Sequence, residues 1–149
     1  MSDVPTTLDR DRIRALIPHA GAMCLLDRVD GWDAGSIVCG ADSHRAPDNP
    51  LRAGGVLPIE AGIEYAAQAM AVHGGLMDGG GPPRRGYVAV LNRVQWSTAR
   101  LDEVPGALRI TAWSLQAGDD GRQYAFRIDA GETVLIEGEA LVMLEATDR

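Results

Sequence analysis

Only one segment of this 149-residue chain is patterned for a long helix buried on most of its sides, and everything after it is patterned for strands. The helix pattern runs from about Leu57 to Leu76. Its Ala61, Gly62, Ala66, Ala67, Ala69 and Ala71 carry so little bulk that other backbone can approach from several directions. After a connector at Asp78–Pro83, four strand-like segments follow: Gly86–Ser97, Ala107–Gln116, Gln123–Asp129 and Glu132–Leu144. Asp119-Asp120-Gly121 and Ala130-Gly131 between them read as turns. One helix can be covered by that many strands only if the sheet curls around it. The expected class is therefore α+β, a bent antiparallel sheet around one central helix, in a single domain over residues 1–149.

The first half fits that plan. Residues 1–7 read as a disordered tail, and Leu8–Ile17 as a short amphipathic helix that Pro18 stops. Met23–Asp30 and Ser36–Asp42 form a predicted hairpin around the turn Gly31–Gly35. His44–Gly55 contains too much Pro, Asn, Asp and Gly for a ladder and reads as a loop.

Composition excludes several functions. A net charge of −7 argues against a nucleic-acid partner. No apolar run approaches the ~20 residues of a membrane-spanning helix, and the polar start lacks a signal pattern, so a cytoplasmic protein is expected. All 14 basic residues are arginine, which removes any chemistry that needs a lysine amine. Cys24 and Cys39 lie in strand-like segments without metal-binding spacing and read as buried free thiols. Neither a metal nor a cofactor is expected.

Inside the apolar helix pattern sit Glu60, Glu64 and Gln68, each four residues from the next and so stacked on one helix face. A carboxylate in such a setting must be paired, hydrogen-bonded or protonated. Glu60, nearest the helix start, suits the positive end of the macrodipole. The backbone N–H groups around Gly55, Val56 and Leu57, together with Gly62, form a candidate oxyanion site, with close packing as the equal alternative for the glycines.

Two motifs resemble a known family. Ile17-Pro18-His19-Ala20-Gly21-Ala22-Met23-Cys24-Leu25-Leu26-Asp27-Arg28-Val29 is similar to the Leu-Pro-His opening of the 3-hydroxyacyl-[acyl carrier protein] dehydratases. Val56-Leu57-Pro58 through Ala67-Gln68 resembles that family's helix motif without a gap. The resemblance implies a hotdog fold and a dehydratase working on carrier-protein-bound acyl thioesters in a homodimer or heterodimer. It singles out Glu64 as the catalytic carboxylate. Gln68, one turn further along, is a candidate substrate-binding residue whose alternative is structural, positioning Glu64 or bonding backbone. The family's catalytic histidine corresponds to Pro50, so half of the catalytic pair is missing. Loss of the histidine with retention of the glutamate resembles the dehydratase-like subunits of aryl-polyene clusters, which combine with a second hotdog dehydratase.

The missing base leaves three readings open. His44, in the loop before the helix, could replace the histidine; a companion subunit could supply one; or the chain could be a non-catalytic acyl-binding or partner-stabilising module. Thioester hydrolysis on the same fold is a further alternative. His19 and His73 read as structural. Arg84, Arg85, Arg93 and Arg100 form a candidate patch for an acidic carrier protein. Tyr65, Met70, Tyr87, Leu91 and Trp96 are expected to set the width of an acyl tunnel.

Overall fold

A computed structural model describes residues 6–17, 23–79 and 86–145. A short helix, α1 (Arg10–Leu16), precedes a hairpin of β1 (Arg28–Asp33) and β2 (Ser36–Ala41). A 3₁₀ turn (Ser43–Arg45) leads through a loop to α2 (Ala61–Met77), and β3 (Gly86–Trp96), β4 (Leu108–Ala117), β5 (Gly121–Ala130) and β6 (Thr133–Leu144) follow. All six strands join one antiparallel sheet in the order β1-β2-β4-β5-β6-β3. The sheet curls around α2, which touches β2, β3, β4, β5 and α1.

The alanines and glycines of α2 allow this wrapping. A side chain at Gly62 would meet Ile128 Cδ1 at 3.1 Å and Ile136 Cγ2 at 3.2 Å, so the helix starts in direct contact with the sheet. At the other end, a side chain at Gly75 would lie 3.0 Å from the Leu16 carbonyl, which is how closely α1 crosses α2. Leu25, Leu57, Tyr65, Leu101, Leu108 and Ile110 are wholly buried around this contact.

Three boundaries differ from the sequence pattern by three residues or more. Strand β1 begins at Arg28 rather than Met23, because Leu25 donates to a helix side chain and only from Asp27 does the backbone meet β2 (Asp27 N–H to Gly40 carbonyl, 3.0 Å). Strand β1 also runs through Gly31-Trp32-Asp33, leaving Ala34-Gly35 as the turn, where the Gly35 N–H donates to the Asp33 carboxylate at 2.8 Å. Helix α2 begins at Ala61, four residues later than its apolar pattern, for reasons that belong to the site.

The two sheet edges are unlike. Strand β1 is partly covered by Leu8, which exchanges two backbone hydrogen bonds with Val29 at 3.0 and 2.9 Å. Among the described residues strand β3 has a neighbour only on its β6 side, yet exposes Tyr87, Val90, Leu91 and Trp96. Its register slips twice, between Val88 and Val90 and between Asn92 and Gln95, and Arg93 in the second irregularity has φ +54°.

Candidate active site

The sheet does not cover α2 evenly. Tyr65, Ala66, Gln68, Ala69, Met70, Val72 and His73 are buried, whereas Ile63, Glu64, Ala67 and Ala71 are half-buried along one side. The three polar residues of the expected stripe therefore separate. Glu60 is exposed at the N-cap without a side-chain capping bond, Glu64 is half-buried in the first turn, and Gln68 is buried.

Gln68 is held at both ends of its amide. Its Oε1 accepts from the Leu25 N–H at 2.8 Å, and its Nε2 donates to the Met23 carbonyl at 2.5 Å. It ties the segment before β1 onto α2, and both polar groups of its amide are thereby satisfied.

The loop from Ser43 to Leu51 is built around the hydroxyl of Tyr65. The Ser43 hydroxyl donates to the Leu25 carbonyl at 2.6 Å, so in the 2.7 Å contact between the two hydroxyls Tyr65 is the donor. The Asn49 amide donates to Tyr65 Oη at 3.1 Å and to the Ser43 carbonyl at 2.8 Å, while its Oδ1 accepts from the Leu51 N–H at 2.9 Å. Burial pushes the Tyr65 phenol up, so it stays protonated. The sequence pattern offered Tyr65 as a tunnel residue. The signal it missed is that a buried phenol requires a polar partner, which the Ser and Asn of the loop supply.

His44, expected as a replacement base, is wholly buried. Its Nε2 lies 3.0 Å from the Val104 carbonyl, and a carbonyl can only accept, so Nε2 carries the proton. Nδ1 is then a lone-pair acceptor without a hydrogen-bond partner among the described residues. Burial is the main cause that lowers the pKa of the ring and keeps it neutral. Arg52 secures the same loop by donating to the carbonyls of His44 at 3.1 Å and Gly55 at 3.0 Å. Pro50 stands in the loop between the buried Asn49 and the half-buried Leu51.

Of the expected oxyanion donors, Val56, Leu57 and Gly62 are engaged elsewhere. Gly54 and Gly55 have φ of +59° and +80° and form a two-residue turn, closed by Ala53 N–H to Val56 carbonyl at 2.9 Å and Val56 N–H to Ala53 carbonyl at 3.1 Å. The Leu57 N–H donates to the Asp102 carboxylate at 2.9 Å, and the Leu57 carbonyl accepts from the Leu101 N–H at 2.8 Å. The Ile59 N–H donates to Ala99. The strand-like contact of residues 57–59 with the β3–β4 connector delays the helix to Ala61. Arg100, bonded to Asp102 at 2.6 Å, and the Leu57 amide hold the Asp102 carboxyl far below the usual range. Gly62 packs on the sheet and donates its N–H to the Ile59 carbonyl at 2.9 Å, so Val56, Leu57 and Gly62 have their amides engaged within the protein.

At the far end of α2, His73 Nε2 donates to the Asp33 carbonyl at 2.8 Å, which leaves Nδ1 to accept from the Tyr124 hydroxyl at 2.8 Å. Arg122 lies beside that hydroxyl and pairs with Asp78 at 3.0 Å. Of the expected arginine patch, Arg100 is tied to Asp102 and Glu103, Arg93 lies on β3, and Arg84 and Arg85 fall outside the described residues, as does His19. Met70, like Tyr65, belongs to the core, while Tyr87, Leu91 and Trp96 face outward on β3. Among the described residues no cluster of metal-ligating side chains occurs, and no helix is long and apolar enough to cross a membrane.

A curled antiparallel sheet around one central helix defines the hotdog class. Over residues 11–148 the sequence matches the ApeP-like family, ApeP dehydratase, and the chain belongs to that family. Among solved structures it is similar to the dehydratase heterocomplex ApeI:P of Xenorhabdus doucetiae, with TM-score 0.80 and 22% identity over 93% of this chain and 92% of the other. A mutant of thioesterase PA1618 from Pseudomonas aeruginosa has TM-score 0.62 and 12% identity over 92% and 94% of the two chains. Zebrafish thioesterase superfamily member 2 has TM-score 0.62 and 16% identity over 91% and 94%. At these identities the likeness to solved structures concerns the fold. No curated protein matches the sequence.

Proposed function

We propose that this chain is one subunit of a two-chain hotdog dehydratase that removes water from 3-hydroxyacyl thioesters held on an acyl carrier protein, in fatty-acid-like or polyene biosynthesis. The observation that carries the reading is the place of Glu64, a half-buried carboxylate in the first turn of α2, on the side of the helix that the sheet leaves open. Family membership and the heterocomplex formed by a similar protein support it.

Dehydration takes a proton from Cα and a hydroxyl from Cβ, so one group must accept the proton and another must protonate the departing oxygen. Glu64 serves the Cβ hydroxyl. It hydrogen-bonds that oxygen and transfers a proton to it as the C–O bond breaks and water leaves. The electron pair of the Cα–H bond becomes the new double bond, and a histidine of the second subunit takes the Cα proton. His44 supports the loop instead, since a base must reach the proton it removes and this ring is wholly buried. Pro50 in place of the family histidine makes the second subunit necessary.

The second subunit pairs along β3, whose outer backbone edge has no neighbour among the described residues and whose Tyr87 and Trp96 are 60% and 62% exposed. The test is dehydration of a 3-hydroxyacyl carrier protein by this chain alone and by the chain copurified with a second hotdog dehydratase subunit. Turnover is expected only in the pair, and only with Glu64 intact. Pro50 also favours a second reading, a stabilising acyl-binding subunit. That reading prevails if the pair keeps its activity in Glu64→Ala but loses it without this chain. Release of free thiol, instead of an unsaturated thioester, identifies hydrolysis.

A further inference from the structure

Strand β3, Gly-Tyr-Val-Ala-Val-Leu-Asn-Arg-Val-Gln-Trp, contains one charged residue, Arg93, and no carboxylate, in a chain whose net charge is −7. Every other arginine on a strand is ion-paired: Arg28 with Asp30, Arg109 with Asp129, Arg122 with Asp78 and Arg127 with Glu137. Arg93 is exposed and makes no ion pair or hydrogen bond among the described residues. The carboxylates nearest in register, Glu137 and Glu139, lie on β6, on the side of β3 away from the open edge, and Glu137 is already engaged by Arg127. The backbone at Arg93 has φ +54°, a conformation that costs a side-chain-bearing residue about 1–2 kcal/mol relative to the right-handed region. An unpaired cation is thus held in a strained backbone on an uncharged, apolar edge.

Two copies of this chain joined edge to edge would be related by a two-fold axis, with β3 antiparallel to its symmetry mate. Strands lie about 4.8 Å apart and rise about 3.3 Å per residue, so an axis anywhere from the strand's midpoint at Leu91 to Arg93 brings the two Arg93 backbones within roughly 5–14 Å. That is comparable to the screening length in ordinary buffer. Neither copy has a carboxylate on the strand to answer the charge. We infer that Arg93 makes the β3 edge selective for a non-identical subunit that sets an Asp or Glu opposite it, and disfavours a second copy of this chain. The inference rests on the reading that β3 is the pairing edge.

The experiment uses the chain itself as probe, by sedimentation at low salt. Wild type and Arg93→Glu are measured separately and as an equimolar mixture, with Leu91→Lys introduced into both as a control. The mixture places opposite charges across the axis and is expected to associate about five- to tenfold more tightly than either protein alone, with the gain shrinking in high salt. Arg93→Gly relieves the backbone and is expected to raise thermal stability and self-association together, which separates a partner-selecting arginine from a merely structural one. If Leu91→Lys abolishes association while the mixture gains nothing over its components, the charge-selection inference is overturned and the pairing edge stands. If association survives Leu91→Lys, the pairing-edge reading fails and the inference with it.

Discussion

Both ends of α2 are closed by a buried tyrosine hydroxyl, but in opposite senses. At the C-terminal end Tyr124 reaches from the sheet into the helix and fills the lone pair of His73, whose other nitrogen meets Asp33, so the ring is satisfied on both sides. At the N-terminal end Tyr65 reaches out of the helix to hold a loop, and the histidine of that loop, His44, keeps a nitrogen unfilled by any described residue. One end is a closed polar network of the kind that rigidifies a core. The other is scaffolding that holds a loop on the helix turn that also carries the half-buried Glu64. Stability and chemistry should therefore divide along the length of one helix.

The strongest test of that division is Glu64→Gln. The change keeps shape and one carbonyl acceptor but removes the acid, and the paired enzyme should lose about 10²–10⁴ in rate, while thermal unfolding of the chain stays within a degree or two. A large drop in melting temperature would instead make Glu64 a structural residue and dissolve the contrast between the two ends.

Removing each hydroxyl in turn should give unequal costs. Tyr124→Phe strands the His73 lone pair in the core and should cost about 1–3 kcal/mol of stability without changing the rate per folded enzyme. Tyr65→Phe leaves the Ser43 hydroxyl with its Leu25 acceptor and Asn49 with its Ser43 acceptor, so about 1 kcal/mol is expected. Denaturant titrations of the two variants compare them directly, and equal costs would mean that the ends are built alike.

The histidines also predict a pH response. Burial lowers the pKa of both His44 and His73 from 6.5, so each contributes stability that is present above pH 6.5 and is lost as pH falls toward its folded value. In that window the unfolded chain binds protons that the native chain refuses, and stability should fall by up to about 1.4 kcal/mol per pH unit for each histidine. His44→Gln and His73→Gln should each flatten the slope between pH 6.5 and 5. Asp33 and Asp102, whose carboxyls are held low by hydrogen bonds, contribute stability that is lost only below about pH 5 and do not obscure it.

How much of this was legible in the sequence follows the same division. The curled sheet and the central helix were readable because strand alternation and small-residue helix patterning are local signals. The helix start was not: residues 57–59 have helical composition, but their backbone is captured by the connector at residues 99–101 and by Asp102, some 40 residues away in sequence. Glu64 could be separated from Glu60 by motif spacing, whereas nothing local tells that Gln68 grips Met23 and Leu25, because that pairing exists only after folding. His44 read as a candidate base because a loop histidine looks available, and burial by Val104 and its neighbours is a tertiary fact.

The smallest effect tests the glycine pair, where sequence and structure suggest different chemistry. A glycine at position 55 that offered its amide to a thioester oxygen would affect catalysis, whereas one that only permits φ +80° in a turn would affect folding. Gly55→Ala forces a side chain into the left-handed region and should cost about 1 kcal/mol of stability, and Gly55→Asn, which tolerates that region better, should recover part of it. Because a Cβ at this position meets nothing within 4 Å, no steric term should cloud the comparison. With Val56 bonded to Ala53 and Leu57 bonded to Asp102, neither substitution should alter KM for the acyl carrier protein substrate. A several-fold rise in KM, with stability unchanged, would return the oxyanion site to the loop and extend the catalytic end of the helix beyond Glu64.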